Sequence, residues 1–183
     1  MTWKETLIQF TKKWEGGFSN HPNDNGGATM AGVTMATFQR YRAEMGLPAP
    51  TVNDLKNITN AEWQAIFDRY YWNAVKASQV SNQRNACVLV CWVWGSGVSG
   101  GVKSFQKFAG ITQDGVVGSQ TINALNNADF WALCNHRENF FYSIVNNNPS
   151  QKVFLNGWLN RLNDFRRTFG VGLTQPEPEK KKS

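Results

Sequence analysis

The sequence is poor in the residues that build disulfide frameworks and metal sites, with three cysteines and two histidines among 183 residues. The cysteine count is odd, no C-x-x-C pair occurs, and Cys87 and Cys91 stand only four residues apart. Together with Cys134 they are therefore expected to be reduced, buried thiols rather than halves of disulfides. The same scarcity disfavours a zinc site, so we predict neither a metal nor any other cofactor.

Long apolar runs are also missing. The longest, residues 86–94, has nine residues, whereas a membrane-spanning helix needs about 20. Residues 1–14 alternate charged and apolar side chains instead of forming the apolar centre of a signal peptide. We therefore predict synthesis in a reducing cytoplasm and no stable membrane insertion. Any action outside the cytoplasm would need a holin or another export system.

Positive charge and aromatic rings, by contrast, are plentiful. The formal net charge is +6, which favours anionic partners such as nucleic acid, acidic membranes or the bacterial envelope. No Arg-rich or Lys-rich helix stands out, so we predict no nucleic-acid partner. The 8 Trp and 12 Phe residues suit both a packed core and a sugar-binding cleft. For each ring taken alone, the core is the first interpretation.

Near the N-terminus, apolar residues recur at helical spacing. Residues 3–14 carry one amphipathic face and are followed by the glycine pair at 16–17, which predicts a helix that stops there. Residues 18–33 are rich in Asn, Gly, Asp and Pro, a composition typical of a loop or a tight hairpin. Thr34 is then predicted to cap a second helix.

The middle of the chain follows the same helical pattern. A capping box at Thr59–Glu62 predicts another helix, whose apolar stripe over residues 63–71 we assign to the core. Residues 86–94 are apolar on every side, as in a helix buried at the centre of a domain. The Gly- and Ser-rich residues 95–101 predict a break before the next short helix, and Ser119 is predicted to cap the helix after that.

Two longer helices close the predicted fold, with apolar stripes over residues 130–145 and 155–169. The sequence thus predicts a mainly α structure packed around one buried helix. We expect a catalytic lobe over residues 1–80 and a helical lobe over residues 81–170 that shares its core. Prolines and lysines after residue 170 predict a disordered tail over residues 171–183.

One segment departs from this pattern, because a predicted helix ends on the carboxylate of Glu15 and two glycines follow it. The negative end of the helix dipole disfavours an ionised carboxylate there, and flanking Trp14 and Phe18 would desolvate it further. A carboxyl group that stays protonated near neutral pH is what a glycosidase needs as its general acid. The alternative is an exposed glutamate at a frayed helix end.

A second carboxylate, Asp24, stands nine residues later in a polar loop that should leave it ionised. A protonated acid beside an ionised partner is the arrangement used in glycoside hydrolysis. The alternatives are ordinary turn chemistry for Asp24 and an unremarkable loop threonine in Thr29, which is otherwise placed to orient a water. A calcium loop fails because the loop has one carboxylate. With only His21 and His136 as bases and no Gly-x-Ser-x-Gly elbow, a serine or cysteine hydrolase is poorly supported.

These residues form a pattern that resembles a known family. Glu15-Gly16-Gly17-Phe18, then Asp24-x-Gly26-Gly27-x-Thr29 and Gly32-Val33-Thr34, resemble the signature of glycoside hydrolase family 108, lysozyme-like N-acetylmuramidases of phages and bacteria. Gly95-Ser96-Gly97 is similar to the family's Asn-Ser-Gly segment, although the asparagine is replaced. The segment 114–121 resembles the Asp-Gly-x-x-Gly-x-x-Thr element of its predicted peptidoglycan-binding region.

The resemblance implies a lysozyme-like α+β fold with a small β-hairpin or loop beside the active-site cleft. It implies cleavage of the β-1,4 bond between N-acetylmuramic acid and N-acetylglucosamine, with Glu15 as general acid and Asp24 and Thr29 as its assistants. We expect substrate contacts from four further side chains: Phe18, Asn20, Trp94 and Ser96. The implied partner is the peptidoglycan glycan strand, met by a monomer at the cell wall, in the periplasm or outside the cell.

Two other functions fit the same residues. A lytic transglycosylase works with a single essential acid and releases an anhydro sugar, and Asp24 argues only weakly against it. A non-catalytic peptidoglycan-binding or phage structural module would bind without turnover, and its binding would be insensitive to Glu15→Gln.

Overall fold

The computed structural model describes residues 1–20 and 27–175. Its described part is mainly helical with one small antiparallel sheet, and the chain divides into two compact units, Met1–Ser78 and Gln79–Ser183. The α-helices are α1 (Trp3–Glu15), α2 (Met35–Glu44), α3 (Val52–Lys56), α4 (Asn60–Phe67), α5 (Gln83–Ser96), α6 (Val98–Ala109), α7 (Ser119–Asn127), α8 (Phe130–Asn147) and α9 (Lys152–Phe169). The strands are β1 (Phe18–Ser19), β2 (Thr29–Met30) and β3 (Val33–Thr34).

Helix α1 confirms the prediction made from the spacing of its apolar residues. A capping box starts it, in which the Thr2 side chain accepts from the Glu5 amide and the Glu5 carboxylate accepts from the Thr2 amide. Gly16 ends it at φ 70°, a conformation that glycine adopts without steric cost. The helix buries Leu7 and Phe10 and carries Glu15 as its last residue.

The predicted hairpin is part of a three-stranded antiparallel sheet in the order β1-β2-β3. Ser19 pairs with Thr29, and Thr29 pairs with Thr34 on its other side. A two-residue turn joins β2 to β3, with Ala31 at φ 47° and Gly32 at φ 82°. Positive φ at both central residues is the geometry that matches the twist of paired strands. The indole Nε1 of a buried tryptophan in α4 donates to the carbonyl of Ala31 at 3.0 Å and holds the turn.

Thr34 caps α2 as predicted, since its Oγ1 accepts from the amide of Thr37. Thr59 likewise caps α4 through the amide of Glu62. The short helix α3, which was not predicted, starts with a capping box of its own, Thr51 with Asp54.

The prediction of a buried apolar stripe after Thr59 is wrong at the end of that stripe. An uninterrupted α-helix would place Tyr70 and Tyr71 on the buried face, but residues 68–72 form a π-helical turn. This wider turn advances the buried face, so Trp72 takes the core position with 2% of its surface exposed. Tyr70 instead reaches Glu44, to which its hydroxyl donates at 2.8 Å, and Tyr71 is half-buried.

In the second unit, α5 confirms the prediction of a buried apolar helix, with residues 85–90 all buried. The predicted break over residues 95–101 is confirmed only at Gly97, because α5 continues to Ser96 and α6 begins at Val98. A glycine inside α6 has a packing reason. A Cβ built on Gly101 would lie 2.7 Å from the Cγ1 of Val93 in α5, so the two helices approach as closely as they do only with glycine there.

The remaining elements agree with the sequence predictions except at the start of α7 and at the start of the tail. Ser119 is the first residue of α7 and Gly118 stands at the N-cap, so the predicted serine cap is wrong. The start of the predicted tail is held in place, since Trp131 Nε1 donates to the carbonyl of Thr174 at 3.0 Å and Arg84 Nη2 to that of Val171 at 2.7 Å. Residues 176–183 lie outside the described part. In residues 1–20 and 27–175, no helix has the length and apolar character needed to cross a membrane.

Candidate active site

Glu15 occupies the position that the sequence predicts, the last residue of α1 and half-buried. The backbone leaves the helix immediately, because Gly16 adopts φ 70° and its amide donates to the carbonyl of Lys12 at 3.1 Å. The neighbouring rings of Trp14 and Phe18 are also half-buried. Glu15 therefore stands at the negative end of the helix dipole, and a well-defined backbone turn follows it.

Tyr71 is a neighbour of Glu15 that the sequence did not reveal. Burial raises the pKa of the Tyr71 phenol, and the negative charge of Glu15 raises it further. The two groups therefore interact electrostatically across unit 1. The sequence pattern predicts Tyr71 in the core, because that prediction assumes an α-helical period through residue 71. The π-helical turn breaks that period and leaves Tyr71 half-buried.

Thr29 is the central residue of the sheet and half-buried. Directly opposed residues of paired strands project to the same face, so Thr29 shares a face with Ser19 and Thr34. Phe18 projects to the other face, together with the buried Val33. The side chains of Phe18 and Thr29 thus lie on opposite faces of the sheet.

The expected substrate contacts of the first unit lie in or next to strand β1. Phe18 lies beneath the Nζ of Lys56, 5.7 Å from the ring centroid, and Asn20 is exposed directly after β1. Asp24 lies outside the described residues, so its predicted role stays a prediction.

The other two expected substrate contacts belong to the second unit. Trp94 is half-buried and Ser96 is exposed in the last turn of α5, which Gly97 ends at φ 80°. Helix α6 starts directly afterwards. Within the described part of the chain, no three His, Cys, Asp or Glu side chains cluster as metal ligands would.

Comparison with known proteins identifies both halves of the chain. Residues 8–97 match the family model of Glycosyl hydrolase 108, and residues 100–163 match that of a Predicted Peptidoglycan domain. Residues 8–97 are thus similar to the glycosyl hydrolase 108 family. The resemblance of the motifs around Glu15 is thereby confirmed, and the two matches together support a glycoside hydrolase that acts on peptidoglycan.

The fold is confirmed by a solved structure. The structure of SagA from Brucella abortus superimposes with a TM-score of 0.74 at 26% sequence identity, covering 94% of this chain and 98% of that chain. Both are mainly helical, lysozyme-like α+β folds. A search of curated proteins finds no match to this sequence.

Proposed function

We propose that this protein is an N-acetylmuramidase that cleaves the β-1,4 bond between N-acetylmuramic acid and N-acetylglucosamine. Glu15 is its general acid and protonates the glycosidic oxygen of the leaving sugar. Asp24 assists, by positioning a water or by stabilising the oxocarbenium-like transition state. Thr29 orients the water from the central strand of the sheet.

The position of Glu15 carries the proposal. Glu15 is half-buried at the C-terminal end of a helix, with the half-buried Trp14 and Phe18 close to it in the chain. It lies within the part of the chain matched to glycosyl hydrolases. The backbone that follows Glu15 is open, since a Cβ built on Gly16 or Gly17 would meet no atom within 4 Å. A sugar can therefore approach the backbone there.

Mass spectrometry of the products from purified peptidoglycan tests the proposal. Wild type should release fragments with reducing N-acetylmuramic acid ends, and Glu15→Gln should lower the rate by about 10²-fold or more, the usual contribution of a general acid. Glu5→Gln is the matched control, because Glu5 belongs to the same helix and glutamine also completes a capping box. This variant should retain the wild-type rate.

Each other product pattern favours a different function. Anhydro ends from the wild type would make the protein a lytic transglycosylase. Wild-type rates in Glu15→Gln would remove Glu15 from catalysis. An absence of soluble products, with binding to cell-wall sacculi retained in both proteins, would favour a binding module.

Asp24 has its own test. Asp24→Asn removes the charge at nearly constant volume and should lower the rate by about 10²-fold while sparing the affinity for peptidoglycan. A variant as active as the wild type would reduce Asp24 to a turn residue.

A further inference from the structure

Arg137 in α8 is a buried cation inside a group of aromatic rings. Only 8% of its surface is exposed. Its guanidinium carbon lies 4.8 Å from the ring centroid of Phe141, 4.9 Å from that of Phe140 and 5.9 Å from that of Trp92. These contacts attract a cation by the ring quadrupoles, but they provide no hydrogen-bond acceptor.

One polar atom of this guanidinium lacks a hydrogen-bond partner. Its Nη1 is buried without a hydrogen-bond partner, and none of the ion pairs found in residues 1–20 and 27–175 involves Arg137. Burial lowers the pKa of the guanidinium to about 10. A buried charge without a carboxylate partner is costly, and an apolar side chain of similar length would fill the same space without that cost. An arginine at this position therefore stabilises the fold no better than an apolar side chain of similar length would, so stability alone does not explain it.

The guanidinium also lies against the end of α5. A Cβ built on Gly95 would lie 3.4 Å from Arg137 Nη2, in ordinary van der Waals contact. Gly95 thus lies beside the cation, and a side chain that extends beyond a methyl group would press against it. A positive charge at the C-terminal turn of a helix interacts favourably with the partial negative charge of the carbonyl groups there.

The residues on both sides of Gly95 are Trp94 and Ser96, two of the expected substrate contacts. We propose that Arg137 is a positioning residue for glycan binding, which fixes the last turn of α5 from beneath Gly95 and so holds Trp94 and Ser96 in place for the sugar chain. This inference rests on the proposed function, because that function makes Trp94 and Ser96 substrate contacts. It adds a residue from α8.

Arg137→Met tests the proposal, because methionine keeps most of the length and fits among apolar rings. We expect KM for solubilised glycan strands to rise about tenfold, the size expected when one or two hydrogen-bonded contacts are misplaced. The value of kcat should stay within about twofold, since the chemistry at Glu15 is untouched. The melting temperature should change by less than about 3 °C, because a buried, unpaired charge is exchanged for an apolar group.

A purely structural arginine would behave in the opposite way. A lower melting temperature with unchanged KM, or no change in either, would overturn the proposal. The affinity of the same variant for sacculi, measured by tryptophan fluorescence in a Glu15→Gln background, does not depend on turnover. An inactive wild type would refute the proposed function, whereas an Arg137 variant that binds sacculi as tightly as its parent would refute only this inference.

A glycine pair provides a second test that keeps Arg137 itself and applies even if Arg137→Met fails to fold. Gly95→Val brings a branched side chain against the guanidinium, whereas Gly100→Val adds the same side chain to an exposed glycine of α6 with no atom within 4 Å of its Cβ. We expect KM to rise severalfold in Gly95→Val and to stay at the wild-type value in Gly100→Val. Equal KM values in the two variants would overturn the proposal.

Discussion

Replacing Gln106 by methionine should destabilise the second unit, because this side chain joins α6 to the loop before α7. Gln106 is 1% exposed. Its amide has four hydrogen-bond partners: the two hydrogens of Nε2 are shared among Asp114 Oδ1 at 2.9 Å, the Val116 carbonyl at 3.0 Å and Thr121 Oγ1 at 3.2 Å, and Oε1 accepts from the Gly115 amide at 2.9 Å. Methionine keeps the volume of the side chain but makes none of these bonds.

The size of the effect follows from which partners water can reach. The carboxylate of Asp114 is exposed and will be solvated in the variant, so it adds little. Thr121 is 3% exposed and Gly115 is half-buried. The Thr121 hydroxyl and the Gly115 amide therefore lose a partner that water replaces poorly. At about 1–3 kcal/mol for each unsatisfied buried group, we expect the free energy of unfolding to fall by about 3 kcal/mol.

Urea unfolding followed by circular dichroism measures this change. Gln120→Met is the matched control, because Gln120 is exposed on α7 and the same substitution there should change the free energy of unfolding by less than about 0.5 kcal/mol. In a double-mutant cycle, Thr121→Val should cost less in the Gln106→Met background than in the wild type. A loss below about 1 kcal/mol for Gln106→Met, or one equal to that of the control, would show that the loop is held by other contacts.

Three further predictions concern acid stability and packing. Hydrogen bonds from Arg40 and two further side chains lower the pKa of Glu44 from 4.5 to about 2, so its ionised form stabilises the fold above pH 4.5 and this contribution is lost as the pH falls towards 2. In thermal scans, wild type should therefore lose more stability over that interval than Glu44→Gln, and parallel curves would contradict the assignment. Gly101→Ala places a Cβ 2.7 Å from a valine of α5 and should lower the free energy of unfolding by about 1–3 kcal/mol, whereas Gly100→Ala, with open space around its Cβ, should raise it by up to about 1 kcal/mol. Trp63→Phe removes the indole hydrogen bond to the β2–β3 turn and should cost about 1–2 kcal/mol in urea unfolding and reduce peptidoglycan cleavage; unchanged cleavage would mean that the sheet does not depend on this bond.

The sequence alone determined the features whose causes are local. Thr34 and Thr59 start their helices as predicted, because a hydroxyl at the N-cap needs only an amide two or three residues later. The end of α1 at Glu15 follows from the glycines that come after it. The family motif around Glu15 is also local, since the acid and the turn that presents it are consecutive in the chain.

Tertiary structure decided the features whose causes are distant along the chain. The π-helical turn at 68–72 gives Trp72 the core position and moves Tyr71 to a place where it interacts with Glu15, which no local period indicates. The glycines at 95 and 101 look like helix breakers in the sequence, yet each lies within a helix. At Gly101 the neighbouring Val93 in α5 occupies the space that a side chain would fill, whereas a Cβ on Gly95 would make an ordinary contact with Arg137 in α8. Close packing of helices thus reverses the local preference of glycine, because contact with a neighbouring element outweighs a helix propensity of about 1 kcal/mol.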